Sequence, residues 1–293
     1  MIRHKGSCNI LSGAIRKYLG SYEGKKICLL SFAQQTVKDF SPFTSHFSHK
    51  RIAFTLAEIL VTLGIIGVVA ALTMPSLIQK YQERQHISQL KKVYSILSQA
   101  YIMAKAEYGD ISEWGLSNTV TNKQDSDGNM IYDSSGQVIV KNNLGKYLKQ
   151  FEGKKQHTFK KYVSLDGRAF SSNTIDDDAV LYLADGTIVR IGWIWRSCKD
   201  PDVGCGDISI FFPENIAKIG VSNFWFYLTP QGIVPYGHQN HTRKFEDYCD
   251  IKNTKGIGAS AQGRGCTAWA LYNENMDYLH CNNLSWDGKR KCK

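Results

Sequence analysis

Cysteine is the residue type whose number and spacing carry the clearest chemistry in this sequence. Two cysteines, Cys8 and Cys28, lie near the N-terminus, and six lie among the last hundred residues: Cys198, Cys205, Cys249, Cys266, Cys281 and Cys292. No Cys-x-x-Cys pair occurs, which argues against thioredoxin-like redox chemistry and against a zinc ribbon. An even number of cysteines in one region is typical of an exported domain, so we expect disulfides there. Six cysteines allow fifteen pairings, and a local Cys198–Cys205 loop is the first candidate.

The other polar clusters are weaker candidates for chemistry. Asp125–Asn129 begins like a calcium-binding loop, but the glycine and the glutamate needed at the sixth and twelfth positions are missing, so a plain turn is favoured. His238 and His241 could approach each other, yet no third ligand is apparent, and an ordinary loop is favoured. Gly-x-Ser-x-Gly, His-Glu-x-x-His and the phosphate-binding loop are all missing from the sequence. We therefore expect no enzyme activity, no metal and no cofactor.

A single acid lies inside a long apolar segment. Ile52–Ile78 contains 27 residues and one charged side chain, Glu58. About 20 helical residues cross a bilayer core, and the apolar residues here surround the whole helix, so we expect this segment to span a membrane. An ionised carboxylate in such a span costs at least ~2.5 kcal/mol. Glu58 therefore needs a partner or a function, unless it reaches the lipid headgroups.

The net positive charge is concentrated before the apolar segment. The sequence has 36 Lys and Arg against 26 Asp and Glu, a net charge of +10. Residues 1–53 hold nine basic and two acidic side chains, a net charge of +7, which leaves +3 for residues 54–293. The basic excess thus belongs to the N-terminal segment, and no nucleic-acid partner is expected. Because basic flanks stay in the cytoplasm, we expect a cytoplasmic N-terminus and an extracytoplasmic cysteine-rich part.

The residues at the start of the apolar segment form a specific pattern. Lys50-Arg51 is followed by the small residue Ala53, then by Phe54-Thr55-Leu56-Ala57-Glu58 and about twenty apolar residues. This pattern resembles the N-terminus of type IV prepilins and type II secretion pseudopilins. In that family a membrane peptidase removes the basic leader at the cytoplasmic face, and the new N-terminal residue is methylated.

The resemblance implies roles for particular residues. Cleavage would fall between Ala53 and Phe54, and Phe54 would be N-methylated. Glu58 would be the acid that pairs with the amine of a neighbouring subunit and sets the register of a filament, and Pro75 would kink the long helix. The family usually has Gly before the cut, where this sequence has Ala53. A leader of 53 residues is long for the family, which favours a translation start inside it.

The helical pattern continues beyond the apolar segment. From Ile87 onward, apolar residues recur every three or four positions until the pattern stops near Gly109. We expect one helix over residues 54–108, with the membrane span in 54–78 and an amphipathic second half that carries a head formed by 109–293. A coiled-coil partner is the alternative for the second half.

The head is expected to contain antiparallel strands. Two hairpins are predicted from strand-like runs that flank turn residues: Ala179–Leu183 with Thr187–Trp195, and Asn223–Leu228 with Ile233–Pro235. A third hairpin is expected around residues 133–136. Strands packed on the long helix would give an α+β, pilin-like fold.

Aromatic residues recur on the predicted strands. Trp193 and Trp195 alternate on one strand face, and residues 224–227 are all aromatic. Such residues favour packing within a sheet over a ligand platform, whereas exposure would favour a carbohydrate or adhesion site.

Two classes of function fit these features. The favoured one is a pilin-like subunit: a single-pass protein of the inner (cytoplasmic) membrane that is processed by the prepilin peptidase and methyltransferase. Its partners would be the lipid bilayer, other pilin-like subunits and the inner-membrane assembly machinery. The processed subunit would leave the bilayer and assemble into a type IV pilus or a type II secretion pseudopilus. The 240 residues after the cut favour a minor subunit. The alternatives are a singly anchored extracytoplasmic binding or adhesion module and an unprocessed membrane-anchored domain.

Overall fold

The computed structural model describes residues 55–151, 156–170, 174–176, 179–198, 204–241 and 243–292. The chain divides into two units, Met1–Thr55 and Leu56–Lys293, and almost all described residues belong to the second. The predicted leader, together with Ala53 and Phe54, lies outside the described residues.

A long helix, α1, runs from Leu56 to Tyr108 over 53 residues and passes through Pro75. Its second half buries residues that share one face: Ile87, Leu90, Val93, Leu97, Ala100, Tyr101 and Ala104. The helix ends at Gly109, which has a left-handed backbone with φ 76° and donates its amide to the Lys105 carbonyl at 3.0 Å. A glycine in this conformation is a common end of a helix because it has no Cβ to clash.

The remaining elements are short. The other helices are α2 (Ser135–Gly145), α3 (Phe245–Tyr248) and α4 (Cys266–Tyr272), with 3₁₀ turns at Ile111–Glu113 and Asp277–Leu279. The strands, in chain order, are β1 (Val120–Gln124), β2 (Met130–Tyr132), β3 (Gln156–Thr158), β4 (Lys161–Val163), β5 (Thr174–Asp176), β6 (Val180–Tyr182), β7 (Ile188–Ile194), β8 (Gly206–Phe211), β9 (Ile216–Lys218), β10 (Asn223–Thr229) and β11 (Gly232–Pro235).

Five strands form the main sheet in the order β11-β10-β8-β7-β6, and every neighbouring pair is antiparallel. Both hairpins predicted around this sheet are present, with Tyr182 opposite Ile188 and Thr229 opposite Gly232. The α+β prediction, a long apolar N-terminal helix with an antiparallel sheet, is confirmed. The described part of the chain also contains three two-stranded pairs: β1 with β2 and β3 with β5 are antiparallel, and β4 with β9 is parallel.

The third predicted hairpin, around residues 133–136, is wrong, because these residues begin α2. The Asp133 carboxylate accepts a hydrogen bond from the Ser135 amide at 2.8 Å, and the Val138 amide donates to the Ser134 carbonyl at 3.0 Å. An acid followed by serines is a helix-start pattern as well as a turn pattern. Here the residues form a helix, because the helix buries Val140 and Leu144.

The hairpin in this region lies earlier, between β1 and β2. Its turn is Asp125–Asn129, where one Asp125 carboxylate oxygen accepts the amides of Asp127 at 2.9 Å and Asn129 at 2.8 Å. The carboxylate thus stabilises a plain turn of its own backbone.

The core lies between the second half of α1 and the facing side of the main sheet. Leu90 and Leu97 of α1 belong to the same buried cluster as Ile208 of β8 and Phe226 of β10. Tyr94 stacks on Phe226 with their ring centroids 5.6 Å apart. Each such buried side chain contributes about 1.5–3 kcal/mol, so this half of α1 is an integral part of the head.

Candidate functional site

The first half of α1 is an exposed apolar cylinder. Leu56, Leu63, Val69 and Leu72 all present more than half of their surface to solvent, although they point in different directions around the helix. An 18-residue window of α1 has a mean hydropathy of 2.3, and none of it is buried. Leu56–Ile78 would measure ~35 Å at ~1.5 Å per residue, against ~30 Å for a bilayer core. By length and composition, α1 can cross a membrane.

The polar side chains of this half are mostly bonded to their own helix. Thr62 donates its hydroxyl to the Ile59 carbonyl at 3.0 Å, Thr73 to Val69 at 2.9 Å and Ser76 to Thr73 at 2.9 Å. Such internal bonds remove the cost of placing a hydroxyl in an apolar environment. They leave the surface of the cylinder suitable for contact with lipid or with another apolar helix.

Pro75 interrupts the backbone ladder of the apolar half. Because proline has no amide hydrogen, the carbonyl four residues before it lacks its usual donor. The structure is nevertheless helical on both sides of Pro75. The kink implied by the prepilin resemblance stays a prediction.

Glu58 lies in the first turn of α1 and is exposed on the apolar cylinder. The amide end of a helix carries a partial positive charge, which favours an acid in this turn. The positions predicted for cleavage and methylation, Ala53 and Phe54, lie outside the described residues, so the distance from Glu58 to a new amine stays a prediction.

Where the apolar half ends, two histidine–carboxylate contacts tie α1 to the head. His86 Nε2 lies 2.5 Å from a carboxylate oxygen of Glu214, and Glu83 lies 2.8 Å from His280 Nε2. The hydrogen bond from His86 lowers the pKa of Glu214, with burial acting in the opposite direction. Six residues after His86, Lys92 pairs at 2.8 Å with Asp185, which lies in the β6–β7 turn. These contacts hold α1 to the head where it leaves the core.

The far end of α1 is bonded to the β10–β11 turn. Tyr101, which is buried, donates its hydroxyl to the Thr229 carbonyl at 2.8 Å, and Lys105 Nζ donates to the Pro230 carbonyl at 3.0 Å. Burial, with a further contribution from the Asp110 charge, raises the pKa of Tyr101 to about 12. The phenol therefore remains a donor at every ordinary pH.

Three disulfides join the six cysteines of the head: Cys198–Cys205, Cys249–Cys266 and Cys281–Cys292. The prediction of disulfides is confirmed, and the first candidate pair is one of them. Each bond closes a local loop, since the paired residues are 7, 17 and 11 positions apart. Disulfides persist in oxidising compartments, which is consistent with an extracytoplasmic head.

The two histidines considered as ligands lie in a turn. The His238 and His241 ring centroids are 6.0 Å apart, and His238 Nδ1 accepts the Asn240 amide at 3.3 Å. Across the described part of the chain, no group of three or more His, Cys, Asp or Glu side chains could hold a metal ion.

The aromatic residues divide between packing and exposure. All residues of β10 are buried, as packing predicts. Trp193 is 45% exposed, and its ring centroid lies 6.2 Å from that of Tyr132 on β2, which is 60% exposed. Trp193 therefore packs against neighbouring rings on one side and remains partly exposed on the other.

One family model matches most of this chain. It is described as a family of unknown function, DUF6613, and it matches residues 76–281. The chain belongs to DUF6613. The DUF6613 match begins one residue after Pro75 and therefore covers the half of α1 that packs on the head, together with most of the head. Searches of curated proteins and of solved structures find no match.

The DUF6613 region also contains a buried charge cluster that sequence reasoning missed. Asp207 is buried on the sheet face opposite α1, and burial raises the pKa of its carboxyl, although the charges of Arg264, Arg243 and Arg190 act in the opposite direction. Arg264 lies over the Trp225 ring at 3.6 Å, and its charge thus rests on an aromatic face. Side chains alternate between the two faces of β8, so the sequence could have placed Asp207 on the face opposite Ile208 and Ile210. The arginines near Asp207 could not be predicted, because they come from distant segments.

Proposed function

We propose that this protein is a pilin-like structural subunit. In this proposal the prepilin peptidase cuts between Ala53 and Phe54, Phe54 is N-methylated, and the apolar half of α1 moves from the inner membrane into a helical filament. The filament is a type IV pilus or a type II secretion pseudopilus, and the large disulfide-bonded head favours a minor subunit.

The observation that carries the proposal is the division of α1 into two halves. One half is apolar on every side and exposed, whereas the other is an integral part of the core. A continuous helix of this kind can exchange lipid for neighbouring helices without unfolding the head. The basic segment and the Phe54–Glu58 sequence before it supply the signal expected for processing.

Glu58 has a specific role in this proposal. After cleavage, the amine of Phe54 in one subunit pairs with the Glu58 carboxylate of its neighbour inside the apolar filament core. Removing one partner of a buried ion pair typically costs 3–5 kcal/mol, because the other charge is left without compensation. The pair would therefore select one axial register between subunits.

A matched pair of variants tests assembly. Glu58→Leu should still enter the membrane but fail to form filaments, whereas Thr62→Leu, which alters a polar residue one turn further on, should assemble. The readout is the amount of the chain in sheared filaments relative to the membrane fraction, with other pilin-like subunits present. Normal filaments from Glu58→Leu would refute the role of the acid.

The exposed Trp193 and Tyr132 favour a second candidate, a singly anchored binding or adhesion module. Trp193 adjoins Ile194, which exchanges hydrogen bonds with Thr119, eleven residues after the end of α1 at Tyr108. The two candidates differ in processing: an adhesion module keeps its anchor in the membrane, and its residues before Phe54 remain attached.

A further inference from the structure

A cleft lies at the place where α1 leaves the head. It has a volume of about 310 Å³ and lies between Gln79, Gln82 and Glu83 of α1 and an apolar wall formed by Val221, Ile251 and Leu279. Gln79 directly follows Ile78, the last residue of the apolar segment. The cleft therefore begins where the apolar surface of α1 ends.

The position of the cleft corresponds to the headgroup layer of a bilayer. Residues 79–86 rise by about 10 Å along the helix axis. The polar layer on each side of the hydrocarbon core is roughly 5–7 Å thick, so the cleft spans this layer and extends a few ångströms beyond it. If α1 is inserted up to Ile78, the cleft faces the phosphates of one leaflet. This step rests on the proposed membrane anchoring of α1.

Lys218 supplies a cation to the cleft. Its side chain lines the cleft and is half-buried, and Nζ has neither a hydrogen bond nor an ion pair with any described residue. Burial lowers the pKa of Lys218, and the Asp166 charge offsets this only in part. An anion in the cleft would compensate the ammonium group directly.

His86 lies at the same cleft with one nitrogen unused. Its Nε2 lies 2.5 Å from a carboxylate oxygen of Glu214, and because a carboxylate only accepts, Nε2 carries a hydrogen. Its Nδ1 is buried and has no hydrogen-bond partner in the part of the chain that the structure describes.

The acidic groups nearby are already engaged. Glu83 is paired with His280 at 2.8 Å, and Glu214 with His86. Lys80 and Arg84, both exposed on α1, add positive charge in the same two turns. The charge left available around the cleft is therefore positive, which suits an anionic ligand with an apolar end.

We propose that the cleft binds the phosphate of a phospholipid headgroup. Lys218 Nζ contacts the phosphate oxygens, and the side-chain amides of Gln79 and Gln82 donate hydrogen bonds to the headgroup at the rim. The apolar wall contacts the first carbons of the acyl chains, next to the glycerol. This contact fixes the height and the rotation of the head above the membrane before assembly.

Lysine labelling of the full chain tests this site without a substitution. The chain is treated with an amine-reactive reagent in phosphatidylglycerol nanodiscs, in maltoside micelles, and in micelles with inorganic phosphate. Labelling of Lys218 should fall roughly tenfold in nanodiscs, the factor that 1.4 kcal/mol represents. Lys255, an exposed lysine outside the cleft, should label equally in all three.

Each other outcome overturns the proposal in a recognisable way. Equal protection by inorganic phosphate would identify a free-phosphate site, and equal protection of Lys255 would show general coverage by lipid. Full labelling of Lys218 in nanodiscs that contain the chain would refute lipid binding in the cleft but not membrane anchoring. Failure of the chain to enter nanodiscs would refute membrane anchoring as well, which separates the two proposals.

Native mass spectrometry of the detergent-solubilised chain gives a second readout. With phosphatidylglycerol added, the unmodified chain should retain one lipid, and Lys218→Gln should lose it. Lys218→Arg should keep the lipid, because the cation remains, and Lys255→Gln is the matched control. Retention by Lys218→Gln would contradict the assignment of Lys218.

Discussion

Truncation of Leu97 tests whether the second half of α1 belongs to the core of the head. Leu97 is fully buried in the cluster between α1 and the main sheet, and Ile102, five residues later on the same helix, is 66% exposed. Leu97→Ala should lower the free energy of unfolding by about 2–5 kcal/mol, which combines the lost transfer energy of about 0.8 kcal/mol per methylene with the cavity left behind. Ile102→Ala should change it by less than about 0.5 kcal/mol, since it removes exposed atoms and Ala favours a helix.

The assay is urea unfolding of the full chain in a mild detergent with the disulfides intact. Tryptophan fluorescence reports on the core, because Trp225 and Trp269 are buried. An unchanged slope of the unfolding free energy against urea concentration would show that the variants alter stability and not the compactness of the unfolded chain. Equal effects of the two substitutions would refute the packing of α1 on the sheet and would favour a coiled-coil partner for this half of the helix.

Three further predictions concern the head. Asp207→Asn should alter the pH dependence of stability, because burial raises the folded-state pKa of Asp207. The unmodified chain should therefore lose stability relative to the variant as the pH rises from about 3.9 through that pKa. Thermal unfolding of both chains across this pH range measures the difference. An increase in relative stability with pH would contradict the direction of the shift. Tyr101→Phe should destabilise the head by about 1–3 kcal/mol, since the buried Thr229 carbonyl loses its donor, and an unchanged urea midpoint would contradict this contact. Replacing both Cys249 and Cys266 by serine should cost about 3 kcal/mol for a closed loop of this size, and a melting temperature equal to that of the unmodified chain would contradict the bond.

The sequence was most informative where local chemistry determines the backbone. Asp185-Gly186 predicts the β6–β7 hairpin, and Gly186 has the positive φ of 85° that this tight turn requires. The apolar spacing after Ile87 likewise predicts the buried face of α1, because the period of a helix fixes which residues share a side.

Prediction failed where two local structures compete or where distant segments meet. The serines after Asp133 fit a turn and a helix start equally well, and burial of Val140 and Leu144 decides for the helix. The parallel pairing of β4 with β9 joins segments more than fifty residues apart, as Lys161 lies opposite Ile216. Spacing along the chain contains no signal for such a pair.

The candidate site likewise contains features that the sequence predicts and contacts that it does not. Glu58 and the apolar cylinder follow from composition alone. The contacts of Glu83 and His86 with the head could not be predicted, because their partners come from segments far along the chain. The Lys218 cleft has the same origin: α1, β9, two loops and the 3₁₀ turn Asp277–Leu279 meet there only after folding.

The mass of the N-terminal peptide from the mature protein tests the central claim most directly. The protein is isolated from membranes of cells that contain a prepilin peptidase, and the peptide is sequenced by mass spectrometry. Our account predicts a chain that begins at Phe54 with a methylated amine. A peptide that extends upstream of Ala53 in these cells would contradict it.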